Sequence, residues 1–181
     1  MQPSQKQIDY FNARTKAHIE TVIFFGKFLD RDFTGHDESK LTEPELTPYI
    51  WLTEEKAGRA ILTLEQKEQV RAAVAHHYAA NPHHPEFYKN IADMPMTALA
   101  EAVCDWAAMQ YEIHALGFQT KYPSLSDFYY KCALPKYGFT DIQRQTVIYH
   151  SMNDIGHINK TGINSPYRQL EKIWLPVQKL K

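Results

Sequence analysis

Five of the nine histidines in this chain fall into three groups: His36 beside Asp37, then His76-His77, then His83-His84. Imidazole is the commonest side-chain metal ligand near neutral pH. With His18 upstream and Asp105 downstream, donors recur along the first two thirds of the chain in the order His, His-Asp, His-His, His-His, Asp. Such a density of nitrogen and carboxylate donors points to a bound divalent transition metal, one ion or two, and to chemistry performed at it. A mixed nitrogen and oxygen ligand set suits Mn, Fe, Co, Ni or Zn better than Mg or Ca.

Each donor carries its own argument. Asp105 sits in Ala98–Met109, a stretch of strong helix propensity. Its neighbours three and four residues away include Ala102, Ala108 and Met109, and a carboxylate among them is costly unless it is paired or metal-bound. His36 and Asp37 can reach one ion together where the backbone bends at a helix start, and the two oxygens of Asp37 can also bridge two ions. His18 lies beside Ile19, Val22 and Ile23 and gains meaning from the other groups. Adjacent residues on a helix point about 100° apart. One member of each His-His pair therefore faces a given ion unless several are present, and the other supports it or contacts substrate. The sequence does not choose between His76 and His77, or between His83 and His84. His114, His150 and His157 lack clustered partners and read as surface or boundary residues. Among the nearby cations, Lys16, Lys27 and Arg31 read as solvated charges. Lys40, three residues after Asp37, is expected at the site.

The elements that position these residues are helical. A first helix is predicted over Ser4–Leu29, with Ser4 as its cap, and a loop over Asp30–Gly35. A short helix follows around His36–Lys40, and then Leu41–Thr53, where Pro44 and Pro48 limit helix length. Thr63 and Gln66 form a capping-box pattern that opens a helix running to about Ala80 and stopping at Asn81-Pro82. Another helix is predicted from Met96 or Thr97 to about His114, ending near Gly117. Ser124–Tyr130 and Thr140–Met152 read as two more. The tail from Asn159, with Pro166 and Pro176, reads as irregular and packed by Tyr167, Leu170, Ile173 and Trp174. Strand-like alternation is scarce. The expected architecture is all-α: a single helical bundle over residues 1–181, with its motif-bearing core at about 4–117, an extension at about 118–181, and the metal site between helices.

Composition sets the outer bounds. At 181 residues, 44% apolar and 23% charged, the chain fits one soluble domain. A formal charge of −1 gives no strong overall attraction to nucleic acid or an anionic membrane. No run approaches the roughly 18–20 apolar residues of a membrane span. The polar stretch Met1–Gln7 has no signal-peptide core. Cys104 and Cys132 form no disulfide framework and read as buried free thiols, so a cytoplasmic location is expected. Oligomerisation is left open.

A His…His-Asp…Asp order with Lys three residues after the His-Asp resembles the HD superfamily of metal-dependent phosphohydrolases. More narrowly, three stretches resemble a family of small uncharacterised bacterial and phage proteins within or near it. They are His36-Asp37-Glu38-Ser39-Lys40 with Glu43-Pro44-Glu45-Leu46, His76-His77…Asn81-Pro82-His83-His84, and Met94-Pro95…Glu101-Ala102-Val103-Cys104-Asp105-Trp106. The resemblance covers about His18 to Tyr111 and implies an all-helical fold with ligands from separate helices. By residue it implies His18, His36, Asp37 and Asp105 as the four ligands of a one-metal site. His76 or His77, and His83 or His84, stand where two-metal members add histidines. In that frame Asp37 is the bridging ligand, Lys40 neutralises a phosphate or holds Asp37, and Glu38 is a candidate general base. The implied activity is hydrolysis of a phosphomonoester or phosphodiester, with a small phosphorylated substrate, a nucleotide by analogy to the superfamily. The chain departs from cyclic-dinucleotide phosphodiesterases of this superfamily: Tyr78 replaces the Glu that follows their His-His, and their later Gly-Tyr-Pro is absent. The early Arg-Trp pair of HD nucleotidases is absent too. Two other classes fit the same donors: a di-iron HD-type oxygenase, and a non-catalytic binding protein stabilised by its metal.

Overall fold

Two N-terminal caps set the frame of the molecule, here a computed structural model that describes residues 2–149, 152, 155 and 167–181, without the side chains of Thr146 and Val147. Ser4 and Thr63 each close a capping box with a Gln three residues on. The side-chain oxygen satisfies one orphan N–H of the first turn and the Gln returns the bond. They open α1 (Gln5–Lys27) and α3 (Leu64–Ala80). Between them lie a 3₁₀ turn at Glu38–Leu41 and α2 (Leu46–Lys56). Pro48 falls inside the first turn of α2 rather than limiting it, because the first four helical N–H groups have no intrahelical partner to lose. Next come α4 (Met96–Ala115), α5 (Leu125–Phe128), a π-helical turn (Tyr129–Ala133) and α6 (Leu134–Tyr137). A π-helical segment follows at Gln143–Tyr149. The rest of the expected Thr140–Met152 helix, apart from Met152, lies outside the described residues, and so does His157.

The protein is all-α, with no strand among the described residues. The main core is built by α1 and α4, through Val22, Phe25, Leu99, Val103 and Trp106, and is closed by Phe139, Ile148 and Leu170. The tail corrects the expectation of irregular structure. Tyr167–Leu180 is a helix, α7, with Pro176 inside it. Leu170, Trp174 and Val177 recur at helical spacing and bury against α1, and the Trp174 indole N–H donates to Thr21 Oγ1 at 2.9 Å. Burial of that stripe offsets the hydrogen bond that Pro176 removes. Cys104 is a buried free thiol and Cys132 a half-buried one. No described helix is long and apolar enough to cross a membrane.

The segment after α1 has to return across it to deliver His36. Gly26 permits this: a Cβ there would stand 2.7 Å from Phe33 Cδ2 and 3.0 Å from the Arg31 carbonyl oxygen. The Arg31 N–H donates to the Gly26 carbonyl at 3.0 Å, and the buried Phe33 ring lies on the helix where a side chain would be.

Candidate metal centre

Asp37 is the hub of the site. It is 1% exposed and adopts a left-handed backbone conformation (φ 56°, ψ 15°) just before the 3₁₀ turn. Such a conformation is uncommon outside glycine, though Asp tolerates it better than most. It aims the two carboxylate oxygens in different directions. Oδ2 faces His18 Nε2 at 3.8 Å and His36 Nε2 at 3.5 Å. Oδ1 faces His77 Nε2 at 3.2 Å and His83 Nε2 at 3.4 Å. Asp105, from α4, completes the first group: its Oδ1 is 3.0 Å from His18 Nε2 and 3.9 Å from His36 Nε2. His84 completes the second, with Nε2 2.8 Å from His77 Nε2.

The donor atoms of His18, His36 and Asp105 lie within 4.8 Å of one another, and so do those of Asp37, His77, His83 and His84. Two ligands bound at about 2.0–2.1 Å to one ion stand roughly 2.8–3.4 Å apart, depending on whether the angle is octahedral or tetrahedral. The observed spacings, from 2.8 Å to 3.9 Å, overlap that range and extend somewhat beyond it. His36 Nε2, Asp37 Oδ1 and His83 Nε2 are also buried without a hydrogen-bond partner. Buried polar atoms are almost always satisfied. The first of these lies in the His18 group and the other two in the His77 group, and unsatisfied donors of this kind are what a cation would satisfy, so the residues fit metal binding.

Behind the rings stands a layer of carboxylates. His18 Nδ1 is 3.5 Å from Glu112 Oε2, and His36 Nδ1 is 2.9 Å from Glu101 Oε1. His77 Nδ1 is 2.8 Å from Glu45 Oε2, and His83 Nδ1 is 3.3 Å from Glu101 Oε1. Where Nδ1 is hydrogen-bonded to a carboxylate, as in His36 with Glu101 and His77 with Glu45, a proton held there leaves the Nε2 lone pair free for a metal. Glu101, Asp105 and Glu112 follow one face of α4, toward His18 on α1. Glu45 is fully buried at the start of α2 and also accepts from Ser39 Oγ at 3.0 Å. Sequence reasoning did not assign these three glutamates a role. The signal open to it was the i, i+4 step from Glu101 to Asp105, which places a second carboxylate on the ligand face.

The charges reinforce the arrangement. Burial opposes ionisation of Asp37, but the Lys40 ammonium and the surrounding imidazoles hold its carboxyl well below the usual range. Burial likewise disfavours the protonated form of His18, yet Asp105 and Glu112 outweigh it and raise its pKa to about 9. His83 is raised to about 9, with Asp37 and Glu101 overcoming its burial. His84, with no carboxylate behind it, is pushed down to about 3, first by burial.

The structure separates the expected site residues. His18, His36, Asp37, His77, His83, His84 and Asp105 converge, and Lys40 Nζ pairs with Asp37 Oδ2. His76 does not join them. Its half-exposed ring meets the other oxygen of the Glu45 that backs His77, Oε1 at 2.7 Å, about a 100° step around α3 from His77. The second pair behaves differently because helix α3 has ended: Asn81 is extended, and both His83 and His84 reach inward from the turn. Glu38, the expected candidate base, is exposed and lies outside the cluster. His114 is exposed as expected and meets the Pro123 carbonyl at 3.2 Å.

No curated protein and no solved structure matches the chain significantly. A family model matches residues 7–153 and so takes in every residue of the centre. On that match the chain belongs to a family of unknown function, DUF5662.

Proposed function

We propose that this protein is a metal-dependent phosphohydrolase of the HD type, cleaving a phosphomonoester or phosphodiester of a small substrate, with a nucleotide as the first class to try. The observation that carries the reading is the split carboxylate of Asp37, which offers one oxygen to each of two histidine groups backed by glutamates. His18, His36 and Asp105 would hold one ion, and His77, His83 and His84 the other. Bound there, divalent transition metals would supply Lewis acidity toward a phosphoryl oxygen and a more acidic bound water. The chain's own part is positional. Glu45, Glu101 and Glu112 keep the rings turned inward. Lys40 holds Asp37 from the side of the adjoining cavity and places a positive charge where a phosphate would approach.

The test joins elemental analysis to a turnover screen. Wild type should carry one to two equivalents of Mn, Co, Ni, Fe or Zn and release phosphate from some member of a nucleotide and sugar-phosphate panel. Asp37→Ala should lose both properties. A metal-loaded protein inert across the panel would refute hydrolysis. A second reading, a di-iron oxygenase, is favoured by the five imidazoles around one bridging carboxylate. Two irons per chain with substrate-dependent oxygen consumption would replace the first reading with it.

A further inference from the structure

A cavity of about 100 Å³ opens beside the centre. His18 and Asp37 form part of its wall, and Arg14, Lys40 and Lys56 bring three cations to it, with Phe11 among the apolar residues that complete the lining. Two of those cations are already matched. Lys40 pairs with Asp37, and Arg14 pairs with Glu112 while donating to Thr53 Oγ1 at 2.9 Å. Lys56, from the last turn of α2, is exposed at the cavity and makes no ion pair among the described residues. Loss of hydration by its stem and head, then the like charges of Arg14 and Lys40, depress its pKa. Gathering an unmatched ammonium beside two other cations costs free energy unless an anion visits the space between them.

Formal charge indicates which anion. Five carboxylates (Asp37, Glu45, Glu101, Asp105 and Glu112) face the histidine groups, against the three cations of the cavity. With the imidazoles neutral, as metal ligands must be, these groups sum to two negative charges. Two divalent ions would make the sum two charges positive, a match for a dianion and an excess for a monoanion. Size agrees: roughly 10–15 Å³ of such space admits one water. The cavity therefore takes a tetrahedral oxyanion and the first atoms of its substituent, while a larger body must extend outward past Lys56.

We propose that Lys56, with Arg14 and Lys40, forms an anion subsite that selects a terminal dianionic phosphoryl group, –PO₃²⁻, over the monoanionic diester. This rests on the metal-centre reading and narrows it. The shared chemistry covers a phosphomonoester and a phosphonate.

The experiment uses the metal-loaded full chain, its metal content measured first. Inorganic phosphate, methyl phosphate, methylphosphonate and dimethyl phosphate are then titrated by calorimetry into wild type, Lys56→Ala and Lys56→Arg. Wild type should bind the three dianions at least about tenfold more tightly than dimethyl phosphate. Lys56→Ala should keep its metal and weaken phosphate about tenfold, and Lys56→Arg should recover most of it. Equal phosphate affinity in wild type and Lys56→Ala, with metal present in both, overturns the subsite and leaves the metal centre standing. Equal binding of methyl and dimethyl phosphate by wild type overturns the selectivity without recourse to a variant. A wild type that takes up no metal overturns both readings. Hydrolysis of methyl phosphate, or oxidation of methylphosphonate, then distinguishes the two sources of the group.

Discussion

Glu101 is the residue whose alteration tests the architecture of the centre most directly. Its Oε1 stands 2.9 Å from His36 Nδ1 and 3.3 Å from His83 Nδ1, so one oxygen orients a ring in each histidine group. Burial opposes its ionisation, but its bonds to those two rings and their charge hold its pKa at about 2. It is therefore a carboxylate across any practical assay range. Removing an outer carboxylate of this kind typically lowers metal affinity 10–100-fold, or about 1.4–2.8 kcal/mol per ion. Because Glu101 serves both groups, both ions should weaken by that amount. Glu101→Gln retains an acceptor oxygen and removes the charge, so it should fall near the tenfold end. Glu101→Ala removes both and should approach a hundredfold. The assay is competition against a chromophoric chelator, titrating apo protein with Co²⁺ or Zn²⁺ and resolving two dissociation constants. The side chain is 23% exposed, so the apo variant should keep its helical circular dichroism, which separates a local effect from unfolding. If both constants stay within about twofold of wild type, or only one moves, the shared-orienter argument is wrong.

Three other outcomes are expected. His77→Ala should remove one equivalent of metal and His76→Ala none, as measured by elemental analysis, because only the first ring faces Asp37; metal loss in His76→Ala would contradict the assignment of the pair. His18 and His83, raised from 6.5 to about 9, stabilise the apo fold fully below about pH 6.5 and lose that contribution as pH rises through about 9. The apo Tm should fall over that window. Metal binding should tighten across it, releasing about two protons, which calorimetry in buffers of different ionisation enthalpy would count; no proton release at pH 7 would refute the protonated apo state. Gly26→Ala forces a Cβ against Phe33 and the Arg31 carbonyl, and should cost about 1–3 kcal/mol while lowering metal content through His36. An unchanged Tm with full metal occupancy would show that the loop path does not depend on that glycine.

What could be read in the chain and what could not divide along a physical line. Local rules sufficed wherever a residue's partner lies within one helical turn. The Thr63–Gln66 box, the Ser4 cap, the stop at Asn81-Pro82 and the reach of α4 all follow from backbone groups that neighbouring side chains must satisfy. In the tail two local rules compete: Pro176 reads as a breaker, while Leu170, Trp174 and Val177 spell an apolar stripe at helical spacing, and the stripe prevails. The donor inventory was also local information, since His18, His36, Asp37, His77, His83, His84 and Asp105 stand out by type and grouping. Only the tertiary structure could say that His77 turns inward and His76 outward, because the phase of α3 is set by its packing against α2 and the 3₁₀ turn. Only it could show Asp37 divided between two groups by a left-handed backbone. Only it could recruit Glu45, Glu101 and Glu112, whose partners lie 32, 65 and 94 positions away for His77, His36 and His18. A glutamate on a helix is by default a solvated charge. It becomes part of a metal centre only when folding carries a histidine from another helix to its carboxylate and removes the water between them.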